Sequence, residues 1–289
     1  MRLGLRRPML RPRTIAVAAA ALAAAALCLA AALTPGSFSA YVASVKNSTD
    51  TAATAPFFTC AAALANDRSS ALFTLPLNEA SGSTTAIDTD TGTMPGTYRG
   101  TMTTSTTAHL ACSRDTGGAY VLNGTTSYVS TSALQSSPAT FSEEVWFKTT
   151  VASGRLIGYG NAVTGASSTY DRQVYLNTSG QLVFGTYNGG FQTIASSAAY
   201  DDGAWHDVVA TFSATTGMTL YVDGAKVAGN TAYTTAQTNN GYWRVGYDNL
   251  SGWPGTGTNY FFTGSMRFAS VYSTVLTTAQ ITTHYAAGR

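Results

Sequence analysis

The stretch DDGAWHDVVATFSATTGMTLYVDG, Asp201 to Gly224, decides the fold. Val208, Ala210 and Phe212 fall on one side of a period-2 strand, and Met218, Leu220 and Val222 repeat the pattern on a second. Ser213 to Gly217 connects them, and Asp223-Gly224 marks a tight turn into a third strand at Lys226 to Ala228. Spacing of two, bounded by turn residues, predicts an antiparallel meander rather than helix.

The same residues resemble a strand pair of the laminin G-like branch of the concanavalin A-like lectin/glucanase superfamily. There a strand opening DG-x-WH-x-V is followed by LYVDG. The match covers Asp202-Gly203, Trp205-His206, Val208 and Leu220 to Gly224. Further stretches resemble the family in order. Ala71 to Gly100 resembles its first strand and glycine-rich turn, and GGAYVLNGTTSYVSTS, Gly117 to Ser132, resembles a hairpin closed here by Asn123-Gly124. FSEEVWFK, Phe141 to Lys148, resembles its central strand, and the chain closes on a segment in which Arg267-Phe268 replaces the usual acidic residue. Tyr170 to Gly190 reads as two strands joined at Asn177 to Gly180, and Thr277 or Thr278 can cap a short helix containing Ile281. The resemblance implies an all-β fold, a two-sheet antiparallel β-sandwich of the jelly-roll kind. Its functional implication is broad, because this family includes binders, enzyme appendages and structural modules.

Along Phe141 to Lys148, alternation turns Phe141, Val145 and Phe147 to the core, and Glu144 and Trp146 away from it. Glu143 then falls on the core register. An unpaired buried carboxylate is too costly, so a place at the sandwich rim is expected, with pairing to a cation such as Arg155 or Arg172 as the alternative. Sugar recognition needs exposed rings to stack on apolar sugar faces, with amides and acids for the hydroxyls. The candidates off the core register are Trp146, Glu144, Tyr187, Trp243, Asp248, Asn249 and Trp253. Trp253 stands out because it sits in a Gly/Pro-rich loop with no evident core to fill.

Composition bounds what the chain can do. Of 289 residues, 45% are hydrophobic and only 10% charged, enough apolar content for one sizeable domain. The formal charge of +2 is carried by Arg2, Arg6, Arg7, Arg11 and Arg13; without these five, 11 basic residues face 14 acidic ones. No basic face points to nucleic acid. Those arginines precede an apolar run, Ile15 to Leu33, with small residues around Gly36 to Ala40. The pattern is that of a signal peptide or N-terminal membrane anchor over residues 1–40, the run being roughly 28 Å long as a helix. Residues 41–68 read as an Ala/Thr/Ser-rich linker or arm, and 69–289 as the sandwich. Phe38 to Ala52 resembles the region after the signal in exported fibre subunits of the camelysin type. Of the three cysteines, Cys28 lies in the apolar run, leaving Cys60 and Cys112 as a disulfide pair in an oxidising compartment.

Chemistry is hard to find. Glycoside hydrolysis needs two carboxylates across one bond, but Glu143 and Glu144 are consecutive and point to opposite faces. His206 belongs to the Trp205-His206 pair, read as packing at the sandwich edge, and no nucleophile or zinc motif accompanies it. Asp88 and Asp90 lie in an acidic loop where oxygen ligands suit Ca²⁺; an Asx-turn explains the same residues, and two carboxylates favour the turn. The expected function is a non-catalytic, secreted or cell-surface recognition module for an extracellular glycan or surface protein, with carbohydrate binding as the leading expectation. The alternative is a structural surface or fibre subunit making protein–protein contacts.

Overall fold

The computed structural model describes residues 56–107 and 109–289. The apolar run 15–33, the signal or anchor over 1–40 and the fibre-like stretch from Phe38 lie outside the described residues. In chain order the elements are α1 (Cys60–Asn66), β1 (Ala71–Leu75), β2 (Thr85–Ala86), β3 (Gly96–Arg99), β4 (Thr103–Ser105), β5 (Ala119–Asn123), β6 (Tyr128–Thr131), β7 (Gln135–Ser136) and β8 (Phe141–Lys148). Then follow β9 (Gly154–Gly160), β10 (Tyr170–Leu176), β11 (Gln181–Tyr187), β12 (Phe191–Ala199), β13 (Trp205–Ser213), β14 (Gly217–Val222), β15 (Ala225–Asn230), β16 (Asn240–Val245), β17 (Thr263–Tyr272) and α2 (Thr278–Gly288).

The strands form two antiparallel sheets. One runs β15-β14-β13-β8-β17-β5-β4, with β1 also paired to β17; the other runs β12-β11-β10-β9-β16-β6-β3-β2, with β7 paired to β16. Between them the inward residues of β8, β13 and β14 meet Ile157, Val174, Phe184, Trp243 and Val245 in one buried core. Val208 lies opposite both Val145 and Val222, so the period-2 pattern of the meander becomes a continuous apolar layer. Asp223 and Gly224 both have positive φ, 53° and 76°, as a two-residue hairpin of the mirror-image type requires. His206 ties the two Asp-Gly turns together, its Nδ1 2.8 Å from Asp223 and its Nε2 3.2 Å from Asp202. The Trp-His motif is thus a structural strut at the start of β13.

Two local readings change. The Asn123-Gly124 turn does not close a hairpin, because β5 pairs with β4 and β17 whereas β6 pairs with β3 and β16. The turn carries the chain from one sheet to the other. From Cys60 the expected linker is a docked helix, capped by Thr59 and bonded from its first amides to Asp115. Cys60 and Cys112 are joined, and the bridge lies in a second apolar cluster with Trp146, Val209, Phe268, Tyr272 and residues of both helices. Arg267, standing where the family carries an acid, donates to the carbonyls of Ala111, Cys112 and Thr116 and so holds the disulfide loop. Thr277 caps α2 in a capping box with Gln280.

Candidate functional site

Each face of β8 is covered. Glu143 is not at the rim: it is fully buried between the sheets, and its carboxylate has no hydrogen-bond partner among the described residues. Burial pushes its carboxyl well above the usual range, and the Arg155 and Arg172 guanidiniums pull back only in part. Its surroundings thus favour the protonated acid over the carboxylate. Glu144 and Trp146 face outward as the alternation required, but α1 and α2 close over them. Glu144 lies 2.9 Å from His284 Nδ1, whose Nε2 is 3.0 Å from Asp67. Burial draws the His284 pKa down, yet the two carboxylates outweigh it and hold the imidazole above its ordinary value. Trp146 stacks on Tyr285 at 5.7 Å and 13°. Glu144 offers no open ligand face; Trp146, only 3% exposed, reaches the floor of an open cavity of about 320 Å³ beside Trp205, Tyr285 and Arg289, which holds no hydroxyl-rich wall of the kind found around Tyr187.

The other predicted residues separate into three groups. Trp243 is a core residue with no exposed surface, packed on Phe141 and Tyr159. Asp248 and Asn249 are framework. Asp248 is fully buried, with Arg155 at 3.0 Å and Arg244 at 3.3 Å, and accepts from the backbone and hydroxyl of Ser167. Desolvation lowers the Arg155 pKa to about 10, with Asp248 opposing it. Asn249 donates to the Ser167 carbonyl, so these two residues clamp the 161–169 loop to the segment after β16. Gly160 permits this, since a Cβ there would lie 2.1 Å from an Asp248 oxygen.

Tyr187 and Trp253 do come together. With Ser168, Thr169, Tyr170, Phe191 and Gln237 they line a cavity of about 240 Å³. It lies on the outer face of the second sheet, opposite the core, where Trp253 packs with Tyr175, Val183 and Leu250. Trp253 is not in an empty loop: its six-membered ring covers Gly185, where a Cβ would approach Cζ3 to 2.2 Å. The loop is pinned as Tyr175 donates to the Pro254 carbonyl and Thr256 to the Trp253 carbonyl. Across the Asn188-Gly189-Gly190 turn, Tyr187 sits opposite Phe191 in register, with ring centroids 5.4 Å apart; Phe191 is 5.1 Å from Trp253.

Asp171 builds this cavity from beneath. It is buried, at a β-bulge in β10, and accepts from the backbone N–H groups of Tyr187 at 2.7 Å and Gln237 at 2.9 Å. Arg172 follows with a φ of 51°, a strained conformation for a long side chain. Its guanidinium pairs with Asp171 at 2.9 Å and donates to the carbonyls of Pro138 and Gln237. Burial raises the Asp171 pKa, with Arg172 next to it opposing the rise. Two adjacent residues thus fix both walls.

Sequence reasoning passed over Asp171, Tyr170, Phe191 and Gln237. A Tyr-x-x-x-Phe spacing across Asn-Gly-Gly was a legible signal for Phe191, since a short turn sets the flanking residues opposite each other. Nothing local marked Gln237.

In the acidic loop, Asp88 accepts from the backbone amides of Thr74, Asp90, Thr91, Thr93 and Met94. Asp90 accepts from the Thr74 hydroxyl. Both oxygens of Asp88 are engaged by N–H donors, the arrangement of a turn organiser and not of an open oxygen cage. Cys60, Cys112 and Asp115 lie close together, but the sulfurs are bonded to each other and Asp115 holds the α1 amides.

Residues 123–282, more than half of the chain, match the laminin G family model of the concanavalin A-like lectin/glucanases superfamily. The chain belongs to this superfamily. No curated protein sequence matches it. Among solved structures, a botulinum neurotoxin type C structure overlays with a TM-score of 0.56 at 13% identity, over 78% of this chain and 53% of that one. The binding domain of Paraclostridial Mosquitocidal Protein 1 gives 0.55 at 13% identity, over 75% and 52%. Domain 4 of AbnA, an extracellular arabinanase from Geobacillus stearothermophilus solved with arabinotriose, gives 0.50 at 16% identity, over 69% and 92%. The chain spans about half the length of the two toxin structures. At these identities the likeness is one of fold.

Proposed function

We propose that this superfamily member is an exported, non-catalytic recognition module that binds carbohydrate through the cavity between Tyr187 and Trp253. The observation that carries the reading is the lining itself: exposed Phe191 with Tyr170 and Tyr187, the edge of a Trp253 that is only 3% exposed, Ser168, Thr169 and Gln237, and no charged group. Rings supply flat apolar surface for the C–H faces of a sugar, while hydroxyls and an amide serve its hydroxyls. The structural neighbours give it context. The neurotoxin's interaction is with two ganglioside molecules, and the arabinanase domain was solved with arabinotriose.

A non-catalytic role is supported by carboxylate placement. Hydrolysis would need two acids roughly 5–9.5 Å apart across a bond. Glu143 faces the core and Glu144 lies under α2, both buried. Export is supported by the arginine-led apolar run 15–33 and by the Cys60–Cys112 bridge, which suits an oxidising compartment.

The test is an immobilised oligosaccharide panel probed with the purified chain, with Ca²⁺ and with EDTA, beside Tyr187→Ala and Trp146→Ala. Retention in both buffers that falls at least tenfold in Tyr187→Ala and stays unchanged in Trp146→Ala supports the reading. Equal retention by Tyr187→Ala sinks it.

A further inference from the structure

We propose that the cavity takes a single neutral sugar residue at a chain end, and rejects sugars that carry a carboxylate. The proposal rests on the carbohydrate reading above and narrows it by shape and charge.

Shape comes first. The Tyr187 and Phe191 rings are inclined at 68°, and those of Phe191 and Trp253 at 56°. A saccharide chain lying along a surface needs rings that share a plane along its length. Rings inclined this steeply are instead adjacent walls of a cup. Its volume of about 240 Å³ is below the roughly 300–1,000 Å³ of sites for drug-sized ligands, so one ring and its substituents fill it. The cup is also preformed. Tyr187 and Gln237 hang by their backbone amides from Asp171, Gln237 again by its carbonyl from Arg172, and Tyr170 donates to the Ser251 carbonyl across the same opening.

Charge sets the class. The guanidinium linked to the walls does not line the cavity: Arg172 is spent on Asp171, Pro138 and Gln237. A carboxylate entering the cup would lose its water and gain no cation, which is costly. It would also approach Asp171, whose oxygens lie directly behind two of the walls. A hydroxyl-bearing neutral ring meets the Gln237 side-chain amide, the hydroxyls of Ser168 and Thr169 and the Tyr187 phenol. The bonds that hold Gln237 in place among the described residues are made by its main chain, so its amide can serve a ligand without loosening the wall.

The experiment is calorimetric titration of the full chain, with tryptophan fluorescence alongside. The probes are L-arabinose, D-galactose, their linear trisaccharides, D-galacturonate and tetramethylammonium. A neutral monosaccharide binding within about threefold of its own trisaccharide is expected, with galacturonate at least tenfold weaker than galactose. Gln237→Ala, on a partly exposed segment, should weaken the neutral sugar about tenfold without changing the unfolding temperature. A trisaccharide at least tenfold tighter than its monosaccharide overturns end binding but leaves the carbohydrate reading standing. Galacturonate matching galactose overturns the neutral class alone. Saturable tetramethylammonium binding with no sugar bound, or silence from every sugar, overturns both.

Discussion

The two sheets have the same kind of inner face and opposite kinds of outer face. Outside the first, a disulfide and two helices seal Glu144, Trp146, Val209 and Tyr272 under a second apolar cluster. Outside the second, the 247–260 loop lays Leu250 and Trp253 on the strands, and the cup opens beside Tyr187 and Phe191. The buried polar groups differ accordingly. On the sealed side His284 joins Glu144 and Asp67, while Asp207 is buried with neither oxygen partnered among the described residues. On the open side Asp171 and Asp248 spend their oxygens on backbone amides and guanidiniums that position loops. Closure of one face serves stability, and organisation of the other serves an opening.

That division can be broken most severely at the disulfide. Cys60 and Cys112 are 52 residues apart, and the chain-entropy model puts the loss on opening such a loop at roughly 4 kcal/mol. A Cys60→Ala, Cys112→Ala double variant should therefore melt about 8–16 °C lower while binding sugar as before at 20 °C. Loss of sugar binding in a still-folded double variant would mean the two outer faces are coupled.

His284 comes next. Removing it leaves two carboxylates facing each other in a buried site, and breaking such pairs costs about 3–5 kcal/mol. Its pKa is raised in the folded chain, so its contribution is fully present below the roughly 6.5 of an unfolded histidine and is lost as pH rises through the folded value. Burial also raises Asp207, with Glu144 adding to the effect; a buried neutral acid likewise loses stability as pH rises above its unfolded range. Urea denaturation of the wild type and His284→Gln at pH 6 and pH 9 should show a gap that shrinks at the higher pH. A gap that widens would overturn the assignment of a charged imidazole.

The layered fold was readable because the meander's pattern has period two and its turns carry Asp-Gly. The sealing helices were harder to read. The run Cys60-Ala-Ala-Ala-Leu has good helix formers, but at seven residues the helix is short, and it is held by the Thr59 cap, the bridge and Asp115, which is distant in sequence. Trp146 was correctly turned away from the core, but alternation along one strand says nothing of what lies above it. Glu143 was misplaced at the rim because burial was thought to require an ion pair, whereas it lies buried with Arg155 and Arg172 near but not bonded to it. Of the cavity lining, Tyr187 and Trp253 were singled out because aromatic residues in loops and strand ends are visible locally. Asp171 was missed because its work is done through backbone amides 16 and 66 residues away, which no local pattern encodes.

The mildest perturbation tests the open face directly. Gly185 lies in the middle of β11, where its missing side chain makes room for the Trp253 ring; an added Cβ would stand 2.2 Å from Cζ3 and 3.0 Å from Thr193 Cγ2. Gly185→Ala keeps every aromatic ring and every hydrogen-bonding group, so any change in binding comes from geometry alone. The ring must lift off the sheet, and since Trp253 walls the cup, lifting it changes the cup's shape. Overpacking of this kind costs about 1–3 kcal/mol, less than either change on the sealed face. Affinity for a neutral sugar should nevertheless fall at least tenfold, reversing the order of effects expected for the disulfide and His284. If Gly185→Ala binds as the wild type does, Trp253 is packing and not a wall, and the cup reduces to Tyr170, Tyr187 and Phe191.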